Sequence, residues 1–316
     1  MGSIELPIQN GTHHEIRDMS YYRAPSLFQP HRCRQAIRDW RAGLIPAMNG
    51  CFLGITSPAV ALFVAPMGFD HVLVDWAHSN CNTETMTQMV HNIAFASEGK
   101  SIPWVRIPGH EHHNIGYVLD AGASVMIPQI DTVEQARQVV SSAKFGMKAN
   151  GSRSAPPFRL LPGVTDGVID SSKTIHQNLN EQAAVCIQIE TLEGIRNLDA
   201  ILTEVKDIDA VWLGTLDVRV SMDLPHNGGR GGNEPEWLEA VDLFSSTLAK
   251  HPEVVWMGFA MGDDETFKAV AKDKAIVVTS GDVFGLMSLV GDLARSKQLL
   301  ASLSNKKSDV ETNGKA

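Results

Sequence analysis

The chain of 316 residues is 43% hydrophobic and carries a formal net charge of -9 at pH 7. This length and composition suffice to bury a large core, either as a single barrel or as two smaller domains. The acidic balance argues against a nucleic-acid or anionic membrane partner, whereas a small anionic substrate needs only local positive groups. No apolar run approaches the roughly 20 residues needed to cross a bilayer. We therefore predict neither nucleic acid nor a membrane as a partner.

The four cysteines, Cys33, Cys51, Cys81 and Cys186, are widely spaced and form no C-x-x-C pair. The first residues, MGSIELPIQN, lack the basic and then apolar pattern of a secretory signal. These features are typical of an intracellular protein with reduced thiols, so we predict a cytoplasmic location.

In chain order, the sequence predicts a tail, a repeating core and a second tail. Residues 1–30 mix proline, histidine, tyrosine and polar residues without periodicity, and residues 304–316 offer almost nothing to bury. We predict an irregular tail at each end, the second one disordered, and one folded domain over residues 31–303.

Eight near-continuous apolar runs of strand length divide the predicted domain. They occupy residues 52–55, 71–77, 102–107, 124–130, 184–190, 209–214, 254–259 and 275–280. Apolar residues at helical spacing fill the gaps, as at Met86, Met89, Val90 and Ile93. Eight such βα units favour a closed (β/α)8 TIM barrel of the α/β class. An open doubly wound sheet is the alternative, but the G-x-G-x-x-G fingerprint expected after its first strand is absent.

Two stretches rich in glycine, proline and polar residues interrupt the repeat, at residues 145–170 and 223–235. In a barrel they are expected to follow strands four and six, on the side of the active site. We predict that both stretches are substrate-facing lids.

Polar residues end several of the predicted strands, where a barrel would gather them at one mouth. They are Asp75, His78, Arg106, Gln129, Gln188, Glu190 and Asp217. Gln188 and Glu190 are two residues apart on one strand, so both side chains point to the same side. A carboxylate that faces a barrel core needs a partner, because burying an unpaired charge is costly.

Glu190 and Asp217 together suggest a metal site. Two carboxylates, with the remaining positions left to water and substrate oxygens, suit Mg²⁺ or Mn²⁺ better than Zn²⁺, which prefers histidine and cysteine. A structural salt bridge between Glu190 and Arg106 is the alternative that the spacing leaves open.

The run His110, Glu111, His112 and His113 has the composition of a metal site but not its pattern. The H-E-x-x-H motif fails because position 114 is asparagine. The run lies where a helix is expected to begin after strand three, so we interpret it as part of that turn.

Seven segments carry a resemblance to a known family: FLGITSP, the D-x-x-H of Asp75 to His78, VRIP, VLDAGA, IPQIDTVEQA, QIETLEGIRNLDAI and LGTLD. Together they resemble the HpcH/HpaI-type aldolases over residues 50–285. The resemblance implies a barrel of the phosphoenolpyruvate/pyruvate superfamily and a class II, metal-dependent lyase that acts through a metal-bound pyruvate enolate. The DVRVSMDL stretch and the long loops are more similar to the macrophomate-synthase branch of that family.

The resemblance also implies a role for each matching residue. Glu190 and Asp217 would bind the divalent cation, with Mg²⁺ expected and Mn²⁺ or Co²⁺ as alternatives. Arg106 would hold the keto or enolate oxygen, and His78 would act as the acid/base group beside Asp75. The other substrate contacts are expected from Gln129, Gln188, Thr215 and Leu216.

Asp120, in the VLDAGA segment, matches the carboxylate partner of the acid/base histidine. It is expected at the end of a helix leading into strand four, at the far end of its own barrel. It could then reach only the His78 of a neighbouring subunit, which implies a homo-oligomer, either a hexamer or a trimer of dimers.

One position departs from the family pattern, because Ala77 stands where D-x-E-H would place an acidic residue. This departure weakens proton transfer, which aldol cleavage needs and decarboxylation does not. Our first prediction is aldol cleavage of a 2-oxoacid, or addition of pyruvate to an aldehyde acceptor. The second is oxaloacetate decarboxylation with capture of the enolate by a larger acceptor, as in macrophomate-synthase-like enzymes. The third is a non-catalytic barrel that only binds a 2-oxoacid.

Overall fold

The computed structural model describes residues 17–156 and 160–313, the last ten of them as backbone only. Residues 1–16 of the predicted N-terminal tail lie outside this range. Within the described part of the chain, no helix is both long enough and apolar enough to span a membrane.

Eight parallel strands close into one barrel in sequential order, and the last strand pairs with the first. The strands are β1 (Met48–Leu53), β2 (His71–Asp75), β3 (Ile102–Arg106), β4 (Ser124–Ile127), β5 (Val185–Ile189), β6 (Ala210–Leu213), β7 (Val255–Phe259) and β8 (Lys274–Gly281). The predicted (β/α)8 TIM barrel is therefore confirmed.

Helices surround the barrel and connect its strands. They are α1 (Cys33–Arg41), α2 (Pro58–Val64), α3 (Thr83–Ala96), α4 (His112–Ala121), α5 (Val133–Ala143), α6 (Ile175–Gln182), α7 (Leu192–Glu204), α8 (Thr215–Ser221), α9 (Pro235–Lys250), α10 (Asp264–Ala271) and α11 (Asp282–Asn313). The short helix α8 lies between β6 and α9, so it belongs to the loops above the carboxyl ends of the strands.

Alternation along each strand divides the core into two layers. Residues facing the barrel axis, among them Leu73, Trp104 and Met257, form an inner cluster. Their neighbours in sequence, such as Val72 and Val74, face outwards and pack against the helices. Both faces of every strand are thus covered, which explains the continuous apolar runs in the sequence.

The amino-terminal end of the barrel is covered by residues that the sequence assigned to a tail. Tyr22 is fully buried, and its hydroxyl donates to Asp39 of α1 at 2.8 Å. Gln29 is also buried. Residues 17–30 of the predicted tail are thus largely irregular, as expected, but part of this segment packs against the open end of the barrel.

Strand β1 starts four residues earlier than predicted, at Met48 rather than at residue 52. The segment Met48 to Gly50 is not an apolar run, so its pattern did not indicate a strand. Gly50 is required there because a Cβ atom at this position would lie 2.1 Å from the His71 ring. The glycine makes room for a histidine inside the barrel.

The described residues of the stretch 145–170, which are 145–156 and 160–170, do not form a lid over the site, contrary to the sequence prediction. Helix α5 returns the chain to the amino-terminal end of the barrel before this stretch begins. There, the Gln29 side-chain amide donates to the carbonyl oxygens of Thr165 and Gly167, at 2.7 and 2.9 Å. The stretch 223–235 does lie on the carboxyl side, directly after α8.

Helix α11 continues to Asn313, so the disorder predicted for residues 304–313 differs from the observed helix. Composition alone does not indicate where such a helix ends, because helix formation propagates along the chain once it has started. Residues 314–316 lie outside the described range.

Buried His71 should make the protein less stable in mild acid. The side chain is fully buried, Nε2 lies 3.2 Å from the Val277 carbonyl oxygen, and burial lowers the pKa from its usual 6.5 to about 4. Between these two values the unfolded chain binds a proton that the folded chain excludes, so stability falls as pH decreases from 6.5 to 4. Each pH unit should cost about 1.4 kcal/mol for this residue.

Urea unfolding at pH 7.5 and at pH 5 measures this dependence. His31, which is buried with a pKa lowered to about 4, adds a change of the same sign in both proteins. The His71→Leu variant should therefore keep a smaller pH slope than the unmodified chain. Equal slopes in the two proteins would contradict the assignment.

Candidate functional site

The candidate site lies at the carboxyl-terminal mouth of the barrel, where the inward-facing positions change from apolar to polar. Leu73 is followed two residues later by Asp75, Trp104 by Arg106, and Cys186 by Gln188. These pairs stand on β2, β3 and β5. The apolar layer fills the interior of the barrel, so the polar layer lies at its carboxyl-terminal end, where substrate could reach it.

Arg106 and Asp75 form a two-pronged ion pair across neighbouring strands. Arg106 Nε and Nη2 donate to the two oxygens of Asp75, at 2.8 and 2.7 Å. Asp75 also accepts from the backbone amides of Ala77 and His78, at 3.2 and 3.4 Å. The side chain of Asp75 is 4% exposed and that of Arg106 is 15% exposed. Asp75 therefore holds both the guanidinium group of Arg106 and the backbone of the turn after β2 in place.

This pairing bears on the alternative that Glu190 forms a salt bridge with Arg106. Among the described residues, Arg106 makes its ion pair with Asp75, and its charge acts on Glu190 only at longer range. Within the described part of the chain, Glu190 is therefore left without a directly paired cation.

Glu190 is a buried acid that faces a second acid. Its side chain follows the end of β5, and its Oε2 accepts from the backbone amide of Gln129 at 2.9 Å. Burial, and then the nearby Asp217 carboxylate, raise the pKa of Glu190 from 4.5 to about 7. Gly214 allows this approach, because a Cβ atom there would lie 2.6 Å from Glu190 Cγ.

Asp217 reaches the site from the first turn of α8. The helix begins at Thr215, which is half-buried, while Leu216 is 43% exposed. Arg219, two residues after Asp217, is fully buried and donates to both oxygens of Glu234, at 2.9 and 2.7 Å. Arg219 therefore holds α8 against the end of the 223–235 stretch.

The residues present fit a divalent cation. Two like-charged carboxylates are held together at the mouth, and the buried Oε1 of Gln188 has no hydrogen-bond partner among the described residues. Among all the described residues, no group of three or more histidine, cysteine, aspartate or glutamate side chains is placed to hold a metal ion. Such a site would leave most coordination positions to water and substrate oxygens, as Mg²⁺ sites commonly do.

Gln129 takes part in the site in a way that the sequence did not indicate. Its side chain is exposed, whereas its backbone amide contacts Glu190. The residue has a φ of 53°, in the left-handed region that non-glycine residues seldom adopt. Only the fold of the β4–α5 turn shows that the main chain of Gln129, rather than its side chain, contacts Glu190.

His78 and Asp120 are not brought together within one chain. His78 is exposed at the mouth, directly after the turn that Asp75 holds. Asp120 lies near the end of α4, at the opposite end of the barrel, where it accepts from Arg153 Nη2 at 2.7 Å. This placement agrees with the expected position of Asp120 but leaves its proposed contact with His78 untested.

An aromatic cluster beside Arg106 was not selected as part of the site from sequence. Phe259 packs edge-on against Phe52 and Trp212, with ring centroids 5.8 and 5.0 Å apart. Phe284, at the start of α11, stacks on Phe52 at 6.3 Å. The guanidinium carbon of Arg106 lies 5.9 Å from the Phe52 ring centroid. The inward parity of Phe52 and Phe259 on their strands is the signal that could have identified this wall.

Comparisons with known proteins agree on one family. The family model described as HpcH/HpaI aldolase/citrate lyase matches residues 48–279. The 2-keto-3-deoxy-L-rhamnonate aldolase of Salmonella gallinarum is 33% identical over 184 residues, which is 57% of this chain. That match spans 64% of the relative's length, slightly less than two thirds.

Solved structures show the same architecture. Macrophomate synthase superposes with a TM-score of 0.82 at 28% identity, covering 91% of this chain and 96% of its own. An HpcH/HpaI aldolase/citrate lyase family protein from Burkholderia cenocepacia J2315 superposes with a TM-score of 0.69 at 22% identity. It covers 84% of this chain and 98% of its own, and at that identity it supports the fold alone. From the family match and this geometry, the chain belongs to the HpcH/HpaI aldolase/citrate lyase family.

Proposed function

We propose that this protein is a metal-dependent carbon-carbon lyase, a class II aldolase acting on 2-oxoacids. The observation that supports this most strongly is the approach of half-buried Asp217 to buried Glu190 at the mouth of the barrel, where neither acid has a paired cation among the described residues. Arg106, oriented by Asp75, lies in the same polar layer. Together these groups can bind a chelating anion and stabilise charge that develops on it.

Glu190 and Asp217 would hold the cation, with Mg²⁺ expected and Mn²⁺ or Co²⁺ as alternatives. When bound, the ion supplies Lewis-acid stabilisation of negative charge on the oxoacid. It would also neutralise the repulsion that raises the pKa of Glu190.

Arg106 is preorganised to donate to the keto oxygen of the substrate. Asp75 accepts from Nε and Nη2, so Nη1 is the nitrogen that would donate to the substrate. Negative charge builds on the keto oxygen as a bond to the adjacent carbon breaks, and a fixed guanidinium favours that enolate-like charge. Gln188 lies in the same layer and would contact the oxoacid, as would Thr215, Leu216 and Gln129 at the rim.

His78 would move the proton of the partner alcohol, because imidazole can accept and release protons near neutral pH. Its exposed position after β2 suits a group that exchanges protons with solvent. Asp120 of a neighbouring subunit would orient it, which requires an assembled oligomer.

Oxaloacetate decarboxylation is the second candidate reaction. Two observations favour it: the absence of an acidic residue at Ala77, and the similarity to macrophomate synthase over nearly the whole chain. Loss of carbon dioxide needs the same charge stabilisation at the keto oxygen but no base. The 2-keto-3-deoxy-L-rhamnonate aldolase relative favours aldol cleavage instead.

The surface of α11 supports self-association, and a homo-oligomer located in the cytoplasm is part of this proposal. Leu286, Leu289, Val290 and Leu293 are each more than half exposed along one side of the helix. A contiguous apolar surface of this kind is typical of an interface. A second copy of the chain is the proposed partner.

Removing the charge of either acid should weaken metal binding strongly. Glu190→Gln or Asp217→Asn keeps the side-chain shape but removes one ligand charge, so Mg²⁺ affinity should fall by about a hundredfold or more. Titration calorimetry with Mn²⁺ or Mg²⁺, with and without oxalate, measures the effect. Glu193→Gln, an exposed acid at the start of α7, is the matched control and should bind as the unmodified protein does.

The reaction itself can be assigned from its products. With Mg²⁺, a 4-hydroxy-2-oxoacid should release an aldehyde, and Ala77→Glu should raise this rate by about tenfold or more, because it supplies the missing acidic group. Arg106→Lys should lower aldehyde and carbon dioxide release alike, by about a hundredfold. Faster carbon dioxide release from oxaloacetate than aldehyde release would favour the second reaction. Metal-dependent oxalate binding without either product would indicate a binding protein.

Disrupting α11 should dissociate the assembly. Leu293→Glu places a charge in the exposed apolar stripe, so sedimentation equilibrium should show a smaller particle than the unmodified chain forms. Arg295→Glu, on another side of the helix, changes the charge outside the stripe and serves as the control. A monomeric unmodified protein would refute the proposed assembly.

A further inference from the structure

The peptide group between Pro128 and Gln129 connects a histidine to the acidic pair. Its carbonyl oxygen, on Pro128, lies 2.7 Å from Nε2 of His110. Its amide, on Gln129, donates to Oε2 of Glu190 at 2.9 Å. One peptide unit therefore carries a hydrogen bond at each end, in the order His110, peptide, Glu190.

The direction of both bonds is fixed by chemistry. A carbonyl oxygen can only accept, so Nε2 of His110 must carry the hydrogen and donate. The peptide amide can only donate, and the Glu190 oxygen accepts it. Both bonds polarise the peptide in the same sense, which strengthens each of them.

The backbone conformation at Gln129 needs this support. A φ of 53° is unfavourable for a non-glycine residue and persists only where the surroundings enforce it. On the far side of Gln129, the backbone amide of Ile130 donates to the Gln188 carbonyl oxygen at 3.0 Å. Gln129 is therefore held by hydrogen bonds on both sides, and the His110 bond holds the peptide that faces Glu190.

His110 is itself fixed in the turn between β3 and α4. The side-chain amide of Asn114 in α4 donates to the Pro108 carbonyl oxygen at 3.0 Å, two residues before His110. His110 is half-buried, whereas His113, in the first turn of α4, is exposed and packs edge-on against the ring of Tyr117. The two histidines are thus chemically alike but differently connected.

We propose that His110 is a positioning residue for the metal site, acting through the Pro128–Gln129 peptide on the orientation of the Glu190 carboxylate. The inference rests on the proposed function, because it assigns Glu190 as a metal ligand. Groups that orient metal ligands commonly affect affinity by about 10- to 100-fold when they are removed. His110 has no place in the chemistry and need not touch the substrate.

Two substitutions separate the hydrogen bond from the ring. His110→Phe keeps a ring and removes the donor, whereas His110→Gln removes the ring and keeps a nitrogen donor at a similar distance. His110→Phe should weaken Mn²⁺ binding in the absence of substrate by about tenfold. His110→Gln should restore affinity to within about threefold of the unmodified protein, and His113→Phe should leave it unchanged.

Hydrogen exchange in the metal-free protein provides a second measurement. It reports on the Gln129 amide itself, so a general loss of activity would not change it. The Gln129 amide should exchange about fivefold faster or more in His110→Phe, because its peptide is no longer held from the other end. The His113→Phe control should exchange at the unmodified rate. Should His110→Phe fail to fold, His110→Leu takes its place in both measurements.

The outcomes also separate this inference from the proposed function. If Glu190→Gln abolishes Mn²⁺ binding while His110→Phe leaves it unchanged, the positioning role is wrong and the metal site stands. Equal losses in His110→Phe and His110→Gln would overturn the role as well, because packing of the ring would then explain both. If neither Glu190→Gln nor His110→Phe alters affinity, the proposed function itself fails.

Discussion

The approach of the Asp217 carboxylate to the buried acid Glu190 is the interaction on which the rest of the site depends. Glu190 and Asp217 come from successive βα units and face each other; burial, and then the charge of Asp217, raise the pKa of Glu190 to about 7. Such an arrangement persists only if other groups hold it. The Gln129 amide, the absent side chain at Gly214 and the anchored helix α8 each contribute to that.

The barrel makes this arrangement possible because the residues that stabilise the fold and the residues of the candidate site lie at different levels along its axis. The inner apolar layer, which includes the fully buried Trp104, fills the middle of the barrel. Segments before β1, including Tyr22, close the amino-terminal end. The polar layer at the opposite end can then contain groups that cost stability, such as the acidic pair, because the apolar layers below support them.

Much of the architecture was predictable, because parallel barrel strands are buried on both faces and read as apolar runs. All eight runs correspond to strands, and Asp75, Arg106, Gln188 and Glu190 lie on or directly after them. The start of β1 was missed because position 50 must be glycine to leave room for the ring of His71, a residue distant in sequence. The stretch 145–170 was assigned to the wrong end because composition marks a loop but does not indicate which end of a barrel it occupies.

The sequence by itself determined the fold class, the family and the side chains that meet at the mouth, since these follow from the period of apolar residues and from short motifs. Only the tertiary structure decided how these side chains pair: Arg106 with Asp75 rather than with Glu190, and Glu190 with the main chain of Gln129. It also decided that His110 reaches the same peptide. The physical reason is that a hydrogen bond requires a donor–acceptor distance of about 3 Å between atoms far apart in sequence, and no local pattern encodes that distance.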